Sequence, residues 1–83
     1  LGQRVSCEVH SAKGRVDCIL ETESFVYIFE FKVDESAELA LKQIEEKKYS
    51  SPYRSGLKKI YKVGVQFSSV NHNIENWIAE KDN

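Results

Sequence analysis

Phe25-Val26-Tyr27-Ile28-Phe29-Glu30-Phe31-Lys32-Val33 decides the fold. Aromatic and β-branched residues fill it, so it reads as a strand. Both faces are largely apolar, which predicts a central strand covered on both sides. The period of two spreads outward from it. Arg15–Glu21 sets Val16, Cys18 and Leu20 against Arg15, Asp17 and Ile19, with Thr22-Glu23-Ser24 as the turn into the central strand. Arg4–His10 alternates in the same way, and Ser11-Ala12-Lys13-Gly14 supplies the turn chemistry between the two.

After Val33 the period changes. Asp34-Glu35-Ser36 offers an N-cap and early acids, and Ala37, Ala40, Leu41, Ile44 and Lys48 recur at helical spacing, predicting a helix to about Tyr49. Ser50-Ser51-Pro52 stops it. Lys59–Phe67 reads as a fourth strand, Asn71-His72-Asn73 as a turn and Ile74–Ala79 as a shorter fifth strand. The expected fold is α/β with a mixed sheet, in the order βββαββ. Trp77 is expected to anchor the core from the last strand.

The chain has 83 residues, with 12 Lys and Arg against 13 Asp and Glu. That length supports one domain, residues 1–83, with one modest core. No apolar run approaches the roughly 20 residues of a membrane span. The absence of Met and a start inside a strand pattern are expected of a piece of a longer protein. Cys7 and Cys18 form no C-x-x-C pair, and each is expected to be a free, small hydrophobe, with a reducing cytoplasm as the corollary.

Charge is unevenly placed. Residues 42–62 hold Lys42, Lys47, Lys48, Arg54, Lys58, Lys59 and Lys62 against only Glu45 and Glu46, whereas acids dominate residues 1–40. A metal site beside a polyanion track would show this pattern, as would an ordinary solvated helix and loop.

Glu30 and Lys32 lie two apart and share a face with Val26 and Ile28. A carboxylate and an ammonium in a core strand are costly unless paired or metal-bound. A hairpin closed at Thr22-Glu23-Ser24 sets Asp17 level with Glu30, and a first turn centred on Ala12-Lys13 sets Glu8 opposite Asp17. Like charges so placed repel each other, and a hard divalent cation such as Mg²⁺ would convert that repulsion into ligation.

Gly14-Arg15-Val16-Asp17, then Tyr27-Ile28-Phe29-Glu30-Phe31-Lys32, a helix with Gln43-Ile44-Glu45-Glu46-Lys47-Lys48-Tyr49, and Lys59-Ile60-Tyr61-Lys62-Val63-Gly64-Val65-Gln66-Phe67 follow one another in this order. The series resembles the PD-(D/E)XK nuclease superfamily over about residues 8–80. It looks most like the nuclease-like domain that ends bacterial proteins with an AAA-ATPase-like N-terminal region. The resemblance implies a restriction-endonuclease-like core, αβββαβ, whose first helix is missing or lies outside this chain. It implies that Asp17 and Glu30 ligate Mg²⁺ or Mn²⁺ with the backbone carbonyl of Phe31, and that Glu8 adds a further carboxylate. Lys32 would orient the attacking water and stabilise charge on the phosphate, with Gln43 facing the site from the helix. Tyr49 follows Gln43 by six residues rather than the four of related nucleases, and packing at the helix end is its plainer role. Lys42, Lys47, Lys48, Arg54 and Lys58 would track a nucleic acid, DNA first. A sheet edge left open by a missing helix would invite a homodimer. The function expected is a metal-dependent nuclease. The alternatives are a catalytically silent nuclease-fold module that binds nucleic acid or a partner protein, and a structural domain of a parent ATPase.

Overall fold

A computed structural model of the chain describes residues 3–10, 15–47 and 49–82. Five strands and one helix follow in the order β1 (Arg4–His10), β2 (Arg15–Glu21), β3 (Phe25–Val33), α1 (Ala37–Lys47), β4 (Lys59–Ser68) and β5 (Asn73–Lys81), with a 3₁₀ turn at Ser51–Tyr53. They form one sheet in sequential order, antiparallel except for the parallel pair β3–β4. A parallel pair needs a crossover, and α1 provides it. The architecture is α+β with a mixed sheet, consistent with a restriction-endonuclease-like fold.

Local chemistry accounts for the joints. Thr22 closes the β2–β3 turn: its amide donates to the Phe25 carbonyl at 2.8 Å and its hydroxyl accepts the Phe25 amide at 2.9 Å. The Ser36 hydroxyl accepts the Leu39 amide at 3.0 Å, capping α1. The predicted Ser11–Gly14 turn lies outside the described residues.

Helix α1 lies on β3 and β4 and buries Ala37, Ala40, Leu41 and Ile44 against Val26, Ile28 and Ile60. The approach is close at Gly64 of β4, where a Cβ would stand 2.3 Å from the Ala37 carbonyl oxygen and 2.9 Å from the Leu41 nitrogen. Only a residue without a side chain lets the helix settle there.

Three expectations are corrected. First, β3 is covered on one face only among the described residues: Val26, Ile28, Glu30 and Lys32 are buried, whereas Phe25, Tyr27, Phe29 and Phe31 are half-buried. Those rings stack on one another and on Tyr61, with centroids 5.6–6.4 Å apart, so the apolar second face is an aromatic surface. Second, Trp77 is 63% exposed, because β5 is an edge strand and its residue opposite Val65 points to that aromatic face. Third, Cys7 and Cys18 are not free: they stand opposite each other in the β1–β2 register, their Cα atoms 4.1 Å apart, and are joined as a disulfide. The reducing-compartment corollary loses its support with the thiols. Tyr49 itself lies in a turn after α1.

Candidate active site

The site grows from strand register. Asp17 of β2 pairs with Glu30 of β3, and Glu8 of β1 pairs with Asp17, so all three belong to the helix side of the sheet. Glu30 is fully buried, and neither of its carboxylate oxygens has a hydrogen-bond partner among the described residues. Lys32, 4% exposed, brings its Nζ to 3.9 Å from Glu30 Oε2 and 3.6 Å from Glu35 Oε1. The Tyr49 hydroxyl donates to Asp17 Oδ2 at 2.9 Å.

Burial, then the close approach of Asp17, push Glu30 up to about 7, with Lys47 and Lys32 pulling against them. Two carboxyl groups sharing one site behave in this way: one holds a proton until a cation replaces it. Lys47 belongs to the expected basic track, and its burial is what the sequence did not show. Its Nζ is buried without a hydrogen-bond partner among the described residues and lies 5.6 Å from the centre of the Tyr49 ring. The signal available was the helical stripe Ala37, Ala40, Ile44, which continues to position 47.

Beside Asp17 a cavity of about 180 Å³ opens between β1, β2 and Tyr49, lined among others by Ser6, Glu8, Asp17, Ile19 and Ile28. At roughly 30 Å³ per water it would hold a hydrated ion or a phosphate group. Glu8 lines this cavity on an exposed strand, but no three His, Cys, Asp or Glu side chains among the described residues gather into a metal-binding group. The carboxylate centre is therefore the Asp17–Glu30 pair.

The remaining expected residues are dispersed. Gln43 is half-buried in α1 and Lys42 is exposed on it. Phe31 contributes backbone between Glu30 and Lys32 and turns its ring to the aromatic face. Lys58 is paired with Glu21 at 2.7 Å, and Arg54 with Asp82 at 3.0 Å, so these two cations are already engaged. Lys48 lies outside the described residues. His72 sits exposed in the β4–β5 turn with φ 52°.

A sequence model of the PD-(D/E)XK nuclease superfamily matches residues 1–77. The chain belongs to this superfamily. Among curated proteins, an uncharacterised protein in the vnfD 5′ region of Azotobacter chroococcum mcd 1 is 35% identical over 82 residues. That match covers 96% of this chain and 16% of the relative, so the chain spans about one sixth of the relative's length. No solved structure matches the chain. No helix is long and apolar enough to cross a membrane among the described residues.

Proposed function

We propose that this PD-(D/E)XK domain is a metal-dependent nuclease that hydrolyses phosphodiester bonds of nucleic acid, DNA first. The observation that carries the reading is the Asp17–Glu30 pair: adjacent carboxyl groups, one fully buried with no hydrogen bond to either oxygen, flanked by a buried lysine. Such a pair is costly as it stands and fits a hard dication. Asp17, Glu30 and the Phe31 carbonyl would hold Mg²⁺ or Mn²⁺, with Glu8 within the same row of the sheet. A dication there would supply Lewis acidity toward the phosphate and neutralise both carboxylates.

The chain's own groups do the rest. Tyr49 fixes the orientation of Asp17 through its hydroxyl. Glu35 holds Lys32 from the helix side, and the Lys32 ammonium would orient the attacking water and offset charge building on the phosphate. Gln43 would add a polar contact from α1. Acting on the nucleic acid of its own cell would place the protein in the cytoplasm.

A second reading, binding without cutting, draws on one observation. The described residues gather two carboxylates rather than three, and Lys32 is already balanced by Glu30 and Glu35. Cleavage assays separate the two readings. Single- and double-stranded DNA and RNA would be incubated with Mn²⁺ or Mg²⁺ beside Lys32→Ala. The nuclease reading expects cleavage that falls by about a hundredfold or more in the variant. Binding of the same substrates with no metal-dependent cleavage would favour the silent module.

A further inference from the structure

We propose that Lys47 is a second substrate-binding ammonium of this site and takes a non-bridging oxygen of the phosphodiester. The inference rests on the nuclease reading above and extends it to a residue outside the Asp/Glu-x-Lys set.

Position is the first argument. The core-facing stripe of α1 runs Ala37, Ala40, Leu41, Ile44 and ends on Lys47, so a lysine occupies the place where one more apolar residue would extend the core. Its ammonium is buried, and a buried ammonium is costly without partners.

The second argument is a comparison of lysines. Lys32 is held by Glu30 and Glu35, Lys62 by Glu45 and Asp82, and Lys58 by Glu21. Among the described residues, Lys47 has no carboxylate at ion-pair distance and no hydrogen bond. It rests instead over the Tyr49 ring, whose hydroxyl reaches Asp17. This is a cation–π seat, and it leaves the three N–H donors of the ammonium unspent.

Charge supplies the third argument. The field of Lys47 reaches Glu30, so in the metal-free protein the lysine offsets part of the carboxylate repulsion. A dication at Asp17 and Glu30 would take over that task. Lys47 would then stand as a donor-only cation beside the ion, matched to a phosphate oxygen.

The test is fluorescence anisotropy of a short labelled oligothymidylate with Ca²⁺, alongside its cleavage with Mn²⁺, in Lys47→Met, Lys47→Arg and Lys81→Met. Lys47→Met keeps the aliphatic stem and removes a buried unpaired charge, and a thermal melt checks its fold, with Lys47→Gln as the second neutral variant. The expected result is about tenfold or greater weakening in the neutral variants, substantial recovery in Lys47→Arg, and a change within about twofold for Lys81→Met, exposed on the edge strand β5. Wild-type binding in Lys47→Met, or an equal loss in Lys81→Met, overturns the proposal. The two readings fail separately. Cleavage that is unaffected by Lys47→Met sinks the role of Lys47 and leaves the nuclease. Lys47-dependent binding without cleavage sinks the nuclease and leaves an anion site.

Discussion

On its helix side β3 presents Val26, Ile28, Glu30 and Lys32, all buried; its alternate positions present Phe25, Tyr27, Phe29 and Phe31, all half-exposed. The same strand thus builds two different surfaces. The helix side is where polar groups are sealed beneath α1: Glu30 and Lys32 toward β2, and Lys62 on the other flank, paired with buried Asp82 and with Glu45 at the helix surface. The aromatic side carries greater apolar area, yet its rings keep partial contact with solvent. Burial depth, rather than hydrophobicity, separates the face that can do chemistry from the face that cannot. A carboxyl group at about 7 arises only where water is excluded and a second carboxyl group is close.

Substitutions on the two faces should therefore differ widely in effect. The largest loss is expected at Gly64, where a Cβ meets helix backbone rather than a movable side chain. Gly64→Val should destabilise by about 3 kcal/mol or more in urea unfolding. Ile28→Ala, which leaves a cavity under α1, should lose about 2–5 kcal/mol by the same measurement. A Gly64→Val protein as stable as wild type would mean that α1 does not sit against the sheet as described.

The pH response sharpens the comparison. Glu30 titrates near 7 when folded against 4.5 when unfolded. Between those values the folded state holds a proton that the unfolded state has released, so stability falls as pH rises through this window. A loss of about 1–3 kcal/mol is expected for the metal-free protein, and Glu30→Gln should flatten the profile. Glu21 and Asp34 are held low by hydrogen bonds from Lys58 and Ser69, which gives the opposite slope, confined to acid below about pH 4.5. A wild-type profile that is level from pH 5 to 8, measured in urea melts without metal, would show that the pair is not sealed from water.

The smallest effect is expected on the aromatic side. Trp77→Ala should cost no more than about 1 kcal/mol, because most of the ring is already in solvent. A loss as large as that of Ile28→Ala would place Trp77 in a core that the described residues do not form.

Much of this was legible beforehand, and the reason is register. A period of two and short turns define strand pairing closely, so Glu8, Asp17 and Glu30 fall into one row as the hairpin geometry requires. The same register sets Cys7 opposite Cys18, one step along. A compositional expectation about two lone cysteines obscured what the pairing already implied. Trp77 was misplaced because side-chain type says nothing about whether another layer covers an edge strand. Tyr49 and Lys47 were harder to place for opposite reasons. Tyr49 reaches Asp17 from beyond the helix end, where periodicity no longer applies. Lys47 lies within the helix, but its charge groups it with the basic run of residues 42–62 and says nothing of its burial.

Calorimetric titration of Mn²⁺ into the protein, beside Asp17→Asn and Glu30→Gln, tests the central claim most directly. The account predicts one bound ion in the wild type, proton release near neutral pH as the ion displaces the Glu30 proton, and loss of binding in both folded variants. Wild-type protein that binds no ion, or variants that bind it unchanged, would contradict the assignment of Asp17 and Glu30 as the metal centre.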